Sequence, residues 1–223
     1  MVCMKEFITT REEIRTEYIV EKSKFIITVA PVQTEGEAQE FIKRVSKEFW
    51  DASHNCTAFV IGPNQEQQRS SDNGEPSGTA GKPILEVLKK KGITNTAIVV
   101  TRYFGGIKLG AGGLIRAYST SASLGLNASP LILHTPKKII HVTIAYNDYG
   151  TIERWMKEKD FYGTTEFGSD VELSLYINPD QEEMVLEDLQ NSTGGNVLYE
   201  VGEIIMTEVP YSVDGEVDLE GES

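Results

Sequence analysis

Hydrophobic and polar positions along this chain change period several times, and each change marks an element. Residues 23–32 are rich in β-branched side chains and run into Pro31, which predicts a strand that stops there. Thr34 and Glu37 form a Thr-x-x-Glu capping box, and Ala38, Phe41, Ile42, Val45 and Phe49 follow at helical spacing. That is a helix with one apolar face. Cys56-Thr-Ala-Phe-Val-Ile61, closed by Gly62-Pro63, predicts a buried strand, and the polar residues 64–73 read as a loop. Pro83 suits the first turn of a helix carrying Ile84, Val87 and Leu88 and stopped at Gly92. Thr96-Ala-Ile-Val-Val-Thr101 is a second apolar strand. After a glycine-rich turn at 105–113, Leu114, Ile115, Tyr118 and Ala122 set a further helix that begins near 109–113.

Beyond Pro136 the pattern restarts. A strand at 138–146, a helix at 148–158, two strands, a helix at 180–190 and a strand at 196–207 give the order βαββαβ. The second of the two middle strands, 170–177, alternates Val171, Leu173, Leu175 and Ile177 with polar residues. The order is that of a ferredoxin-like split βαβ unit, a fold that hosts many functions and identifies none. The expected class is α+β throughout, with one domain over 1–135, a ferredoxin-like domain over 136–210, and an acidic tail over 211–223 expected to be disordered.

Charge sharpens that division. Residues 1–135 hold 16 Lys and Arg against 14 Asp and Glu, a net of +2, while residues 136–223 hold 5 against 20, a net of −15. An acidic second half repels nucleic acid and keeps the chain in solution. No apolar run approaches the roughly 20 residues that cross a bilayer, and the first residues carry no secretion signal, so the expected location is cytoplasmic. Two cysteines, Cys3 and Cys56, make no disulfide framework.

The unusual chemistry is concentrated on either side of the strand at 96–101. Ser71-Asp-Asn-Gly-Glu-Pro-Ser-Gly-Thr-Ala-Gly-Lys-Pro83 precedes it and Arg102-Tyr-Phe-Gly-Gly-Ile-Lys-Leu-Gly-Ala-Gly-Gly-Leu-Ile-Arg116 follows it. Glycines such as Gly105, Gly106, Gly110, Gly112 and Gly113 let backbone amides approach a ligand or another chain, and a glycine loop opening a helix favours an anion. Lys82, Arg102, Lys108 and Arg116 supply positive charge, so a phosphate, a sulfate, a carboxylate or an acidic protein surface is the expected occupant. The blander reading pairs Arg102 with Glu75 across the loops and gives part of the glycines to tight packing.

Asp51-Ala-Ser-His-Asn-Cys56 and the two glycine-rich stretches closely resemble the signature of the IMPACT/YigZ family over about residues 20–125, and the acidic half looks like the small second domain of its bacterial branch. The resemblance implies a first domain like the second domain of a small-subunit ribosomal protein and a second like a domain of elongation factor G. It implies a non-enzymatic regulator linked to translation, with a protein or a ribosome/RNA partner and no cofactor. The chain departs from the family pattern at Asn73, where an aspartate is common, which leaves Asp72 and Glu75 as the loop carboxylates, near His54, Ser77 and Thr79.

Other chemistry is weaker. His54 and Cys56, two apart on a strand with Asp51 nearby, have the form of a nucleophile and base, although a buried Cys is more often an inert hydrophobe. Three scattered histidines, His54, His134 and His141, lack metal-ligand spacing. Phosphoryl transfer would draw its base and metal carboxylates from Asp72 and Glu75 alone. Lys89-Lys90-Lys91 is the solvated end of a helix. Nucleic-acid binding is the rival reading, with Arg69, Lys82, Lys89 to Lys91, Arg102, Lys108 and Arg116 beside Tyr103 and Phe104 for stacking.

Overall fold

The structure, a computed structural model, describes residues 5–211. Cys3 and the expected tail beyond Tyr211 lie outside the described residues. In chain order the first elements are β1 (Phe7–Thr10), β2 (Ile14–Val20), β3 (Ser23–Pro31), α1 (Glu35–Glu48) and β4 (His54–Ile61). β5 (Gln67–Ser71), α2 (Gly81–Lys90), β6 (Thr96–Tyr103) and α3 (Gly110–Ala128) complete that part of the chain. Five of these strands form an antiparallel sheet in the order β2-β3-β6-β4-β5.

Side chains alternate across that sheet, so each strand feeds two cores. Phe25, Ile27, Val29, Cys56, Ala58, Val60, Ile98 and Val100 pack with Ile84, Leu88, Tyr118 and Ala122 of α2 and α3. Ala30, Phe59, Ile61, Ala97 and Val99 pack with Ala38, Phe41 and Val45 of α1. Cover on both faces explains why β4 and β6 read as continuous apolar runs rather than alternating ones. The Thr34 hydroxyl accepts from the Glu37 amide at 3.2 Å, and the Glu37 carboxylate reaches back to the Gln33 amide at 2.7 Å, one residue before the position a standard capping box would use.

Residues 64–73 are not all loop. β5 pairs with β4 from Thr57↔Ser71 to Ile61↔Gln67, and all five of its side chains are exposed. An edge strand held by backbone hydrogen bonds needs no apolar side chain, so it leaves no periodic trace.

The remaining elements are β7 (Leu131–Ile144), α4 (Tyr146–Glu158), β8 (Tyr162–Phe167), β9 (Val171–Ile177), α5 (Glu182–Ser192) and β10 (Val197–Tyr211). β7 lies between β9 and β10, and β8 is the edge beyond β9, the arrangement of a ferredoxin-like sheet. α4 and α5 cover one face through Ile152, Trp155, Val185 and Leu189. β1 pairs with the first residues of β7, from Phe7↔His134 to Thr10↔Leu131. The chain divides into two compact units, one of residues 135–207 and the other of 5–134 with the end of β10 from Glu208. Pro136 therefore sits inside a strand, not in a linker.

Candidate functional site

The loop between β5 and α2 is organised by Asp72. Its Oδ1 accepts from the amides of Gly81 (2.8 Å) and Ala80 (3.0 Å), and its Oδ2 from Gly78 (2.8 Å). Burial alone would raise this carboxyl, but the Gly78, Gly81 and Ala80 amides outweigh it and hold it below the ordinary aspartate range. Asp72 thereby supplies the cap that Ala80, at the N-cap of α2, has no side chain to give. Asn73 holds a left-handed backbone (φ +45°) and accepts the Asn55 amide at 2.8 Å through Oδ1. An aspartate oxygen would serve the same bond, so the departure from the family pattern leaves the loop's architecture intact.

β6 decides the fate of the basic residue that follows it. Ile98, Val100 and Arg102 share one face by strand alternation, and that face packs under α2 and α3, so Arg102 points inward. It is 5% exposed. Its Nη1 donates to Glu75 Oε1 at 2.7 Å and its Nη2 to Ser23 Oγ at 3.3 Å, while Nε has no partner among the described residues. The Tyr118 hydroxyl donates to the same Glu75 oxygen at 2.8 Å, and Glu75 is 8% exposed. Arg102 is thus not a free anchor for an anion, because a buried guanidinium needs a counter-charge and Glu75 provides it. The bland pairing of these two residues is what the structure contains.

Tyr103, on the opposite face, is half-buried and donates its hydroxyl to Asp51 at 2.8 Å. Phe104 is half-exposed, with the Arg102 guanidinium carbon 5.6 Å from its ring centre. At Gly105 an added Cβ would lie 2.0 Å from the Lys22 carbonyl carbon, so packing alone demands glycine. Gly106 lies in the turn, and Gly110 opens α3 with φ +67°. At Gly112 the nearest atom to an added Cβ is Arg116 Nη1 at 3.7 Å, whereas at Gly113 it is Leu109 Cβ at 3.0 Å.

The two loops enclose a cleft of about 230 Å³. Its walls are Glu75 and Pro76 from one loop, Phe104 and Lys108 to Ala111 from the other, with Arg102 and Leu114. Above it, α3 begins at Leu109–Gly110 with no side-chain cap. Lys82 and Arg116 are exposed on α2 and α3 and do not line the cleft, whereas Arg102 and Lys108 do. Ser77 is exposed, and Thr79 is buried with its hydroxyl on the Pro76 carbonyl at 2.7 Å.

Nucleophilic chemistry finds little support here. Cys56 Sγ lies 3.0 Å from the Asp72 carbonyl oxygen and 3.3 Å from the Tyr118 hydroxyl, either of which can accept its one hydrogen, and burial pushes its thiol up to about 12, far from a neutral-pH thiolate. His54 places Nδ1 2.9 Å from the Asn73 carbonyl and Nε2 3.8 Å from Glu75 Oε2, so its partners are not the thiol. Both loop carboxylates are engaged, Asp72 by three amides and Glu75 by Arg102 and Tyr118. Among the described residues no group of three His, Cys, Asp or Glu side chains has metal-holding geometry. Sequence reasoning passed over Ser23 and Tyr118. The signal for Tyr118 was present, since a tyrosine in an apolar helix stripe must put its hydroxyl on something.

Residues 21–126 match the Impact N-terminal domain, and residues 142–196 match a domain of unknown function (DUF1949). The IMPACT family member YvyE of Bacillus subtilis is 43% identical over 206 residues, spanning 92% of this chain and 95% of its own. The IMPACT family member YigZ of Escherichia coli is 37% identical over 155 residues, 69% of this chain and 73% of its own. A protein solved as "Crystal structure of an hypothetical protein" superposes with a TM-score of 0.57 at 28% identity, over 90% of this chain and 98% of its own. With that identity extending along nearly the whole length of a relative, the chain belongs to the IMPACT family.

Proposed function

We propose that the chain is a non-enzymatic regulator linked to translation, working in the cytoplasm, which binds a protein partner through the cleft between the two glycine-rich loops. The observation that carries this reading is the make-up of the cleft. Pro76, Phe104, Leu109 and Leu114 give it apolar walls, Lys108 gives one free charge, and the uncapped start of α3 offers amides to a carboxylate, phosphate or sulfate. Arg102, spent on Glu75, adds no net charge. An acidic protein segment with an apolar side chain suits such a site better than a nucleic-acid backbone, which asks for several free cations along a track. The link to translation rests on the family resemblance and the absence of catalysis on the engagement of both loop carboxylates. Among the described residues no helix is long and apolar enough to cross a membrane.

RNA is the second reading, favoured by Phe104, half-exposed beside Lys108. Pull-down from host lysate, with and without nuclease, separates the two. The expected result is a protein partner retained after nuclease and lost with Lys108→Glu. A partner that disappears with nuclease makes the site an RNA surface, and retention by Lys108→Glu moves the interface elsewhere.

A further inference from the structure

The unit of residues 135–207 has a sheet with one covered face and one open one. Ile140, Val142, Leu173 and Leu175 point into the core under α4 and α5, so strand alternation turns their neighbours outward. Register aligns those neighbours in rows across β7, β9 and β8. The first row is Ile139–Tyr176–Tyr162, the second His141–Ser174–Thr164 and the third Thr143–Glu172–Glu166. Tyr162 and Tyr176 stack with ring centres 5.3 Å apart, and Tyr162 remains 45% exposed. His141 Nδ1 lies 3.1 Å from Ser174 Oγ. On the β10 side Gly202 presents no side chain, and an added Cβ there would sit 3.3 Å from His141 Nε2. A shallow depression of about 120 Å³ runs over the second and third rows.

Two features of this face work against the stability of the isolated unit. An aromatic and aliphatic row is only partly covered, with Tyr162 exposed and Ile139 and Tyr176 half-buried. Glu166 and Glu172, both exposed, stand directly opposite one another, a like-charge cross-strand pair that destabilises a sheet, and neither has a cation partner among the described residues. Residues 135–207 carry 5 basic and 14 acidic side chains, so no surplus of positive charge surrounds the pair. The chain's own residues 212–223 hold five acidic side chains and no Lys or Arg, which is the wrong sign to cover it.

We infer that this open sheet face is a docking surface for a protein segment in which Arg or Lys flanks an aromatic or aliphatic residue. The cations neutralise Glu166 and Glu172 while the apolar group lies against Tyr162, Tyr176 and Ile139, where an arginine also stacks well on a tyrosine ring. Nucleic acid, the usual ligand of an open aromatic sheet face, is repelled by the same carboxylates. This surface is distinct from the cleft at α3 and does not depend on its function.

The test is an NMR titration of the full ¹⁵N-labelled chain with the end-blocked peptide Arg-Trp-Arg-Trp-Arg, its Glu-for-Arg counterpart and an oligouridine. The basic peptide should move the amides of Tyr162, Thr164, Ser174 and Tyr176. Binding should weaken about fivefold in the Glu166→Gln, Glu172→Gln double variant, as two lost exposed ion pairs imply, and also in Tyr162→Ala. The double variant should melt no lower than the parent, because it removes a repulsion. The inference is overturned if the basic peptide leaves these amides in place, if the double variant binds it unchanged, or if the acidic peptide or the oligouridine shifts them as strongly.

Discussion

Arg102 shows how one residue changes meaning between a string and a fold. In the string it sits among glycines and lysines and reads as an anion anchor. In the fold its parity with Ile98 and Val100 turns it inward onto Glu75. The parity was legible in the sequence, but which face of the sheet lay under α2 and α3 was a matter of tertiary packing. The consequence is testable. Arg102→Ala leaves Glu75 buried with the Tyr118 hydroxyl and the more distant His54 ring but no guanidinium, and should cost about 3 kcal/mol or more in urea unfolding, whereas exposed Lys108→Ala should stay within about 0.5 kcal/mol of the parent. An Arg102→Ala protein as stable as the parent would return that side chain to the list of free anchors. Cys56 yields a second prediction. Its thiol is raised by burial, so the contribution to stability is complete below the unfolded value, near 8.5, and is lost as pH rises toward about 12. In a Cys3→Ser background, folded protein at pH 8 should leave a disulfide reagent unreacted until denaturant opens the sheet. Rapid labelling of the native protein would contradict the burial.

At the scale of elements, periodicity found what packing makes periodic. The apolar runs of β4 and β6 and the stripes of α1, α2 and α3 were readable because each is covered by a neighbour. β5 was not, since its five polar side chains all face solvent. β1 and β2 were also passed over. β2 interleaves Arg15, Glu17 and the exposed Ile19 with half-buried partners, a weak signal at a sheet edge. The glycines of the 105–113 loop looked alike in sequence but have separate causes. Gly105 is set by the Lys22 backbone and Gly110 by its positive φ, while Gly112 meets only the tip of a flexible arginine. Gly112→Ala should therefore stabilise the fold by about 0.5 kcal/mol through a better helix residue. If a partner approaches the first turn of α3, the same methyl should weaken binding. A variant that melts higher and binds equally well would place the contact away from that turn.

At the scale of the whole molecule the charge imbalance was plain in the sequence, and it has a thermodynamic consequence for each unit taken by itself. Residues 135–207 carry a net of −9 from 5 basic and 14 acidic side chains, so their compact state works against its own repulsion. Residues 5–134 are close to neutral and are joined by exposed pairs such as Arg15–Glu48 and Arg69–Glu35, which salt weakens slightly. Two probes separate the units. Trp155, 8% exposed and hydrogen-bonded to Asp188 at 3.0 Å, reports on the acidic unit, while Trp50 is 82% exposed and changes little on unfolding. Cys56, in a Cys3→Ser background, reports on the other core. Raising sodium chloride from about 20 mM to about 300 mM shortens the screening length from roughly 20 Å to roughly 6 Å. The fluorescence midpoint in urea should then rise, while the midpoint for Cys56 exposure should hold or fall slightly. Equal shifts of both midpoints would mean that the charge of one half is not borne by that half alone, and that the two units unfold as one.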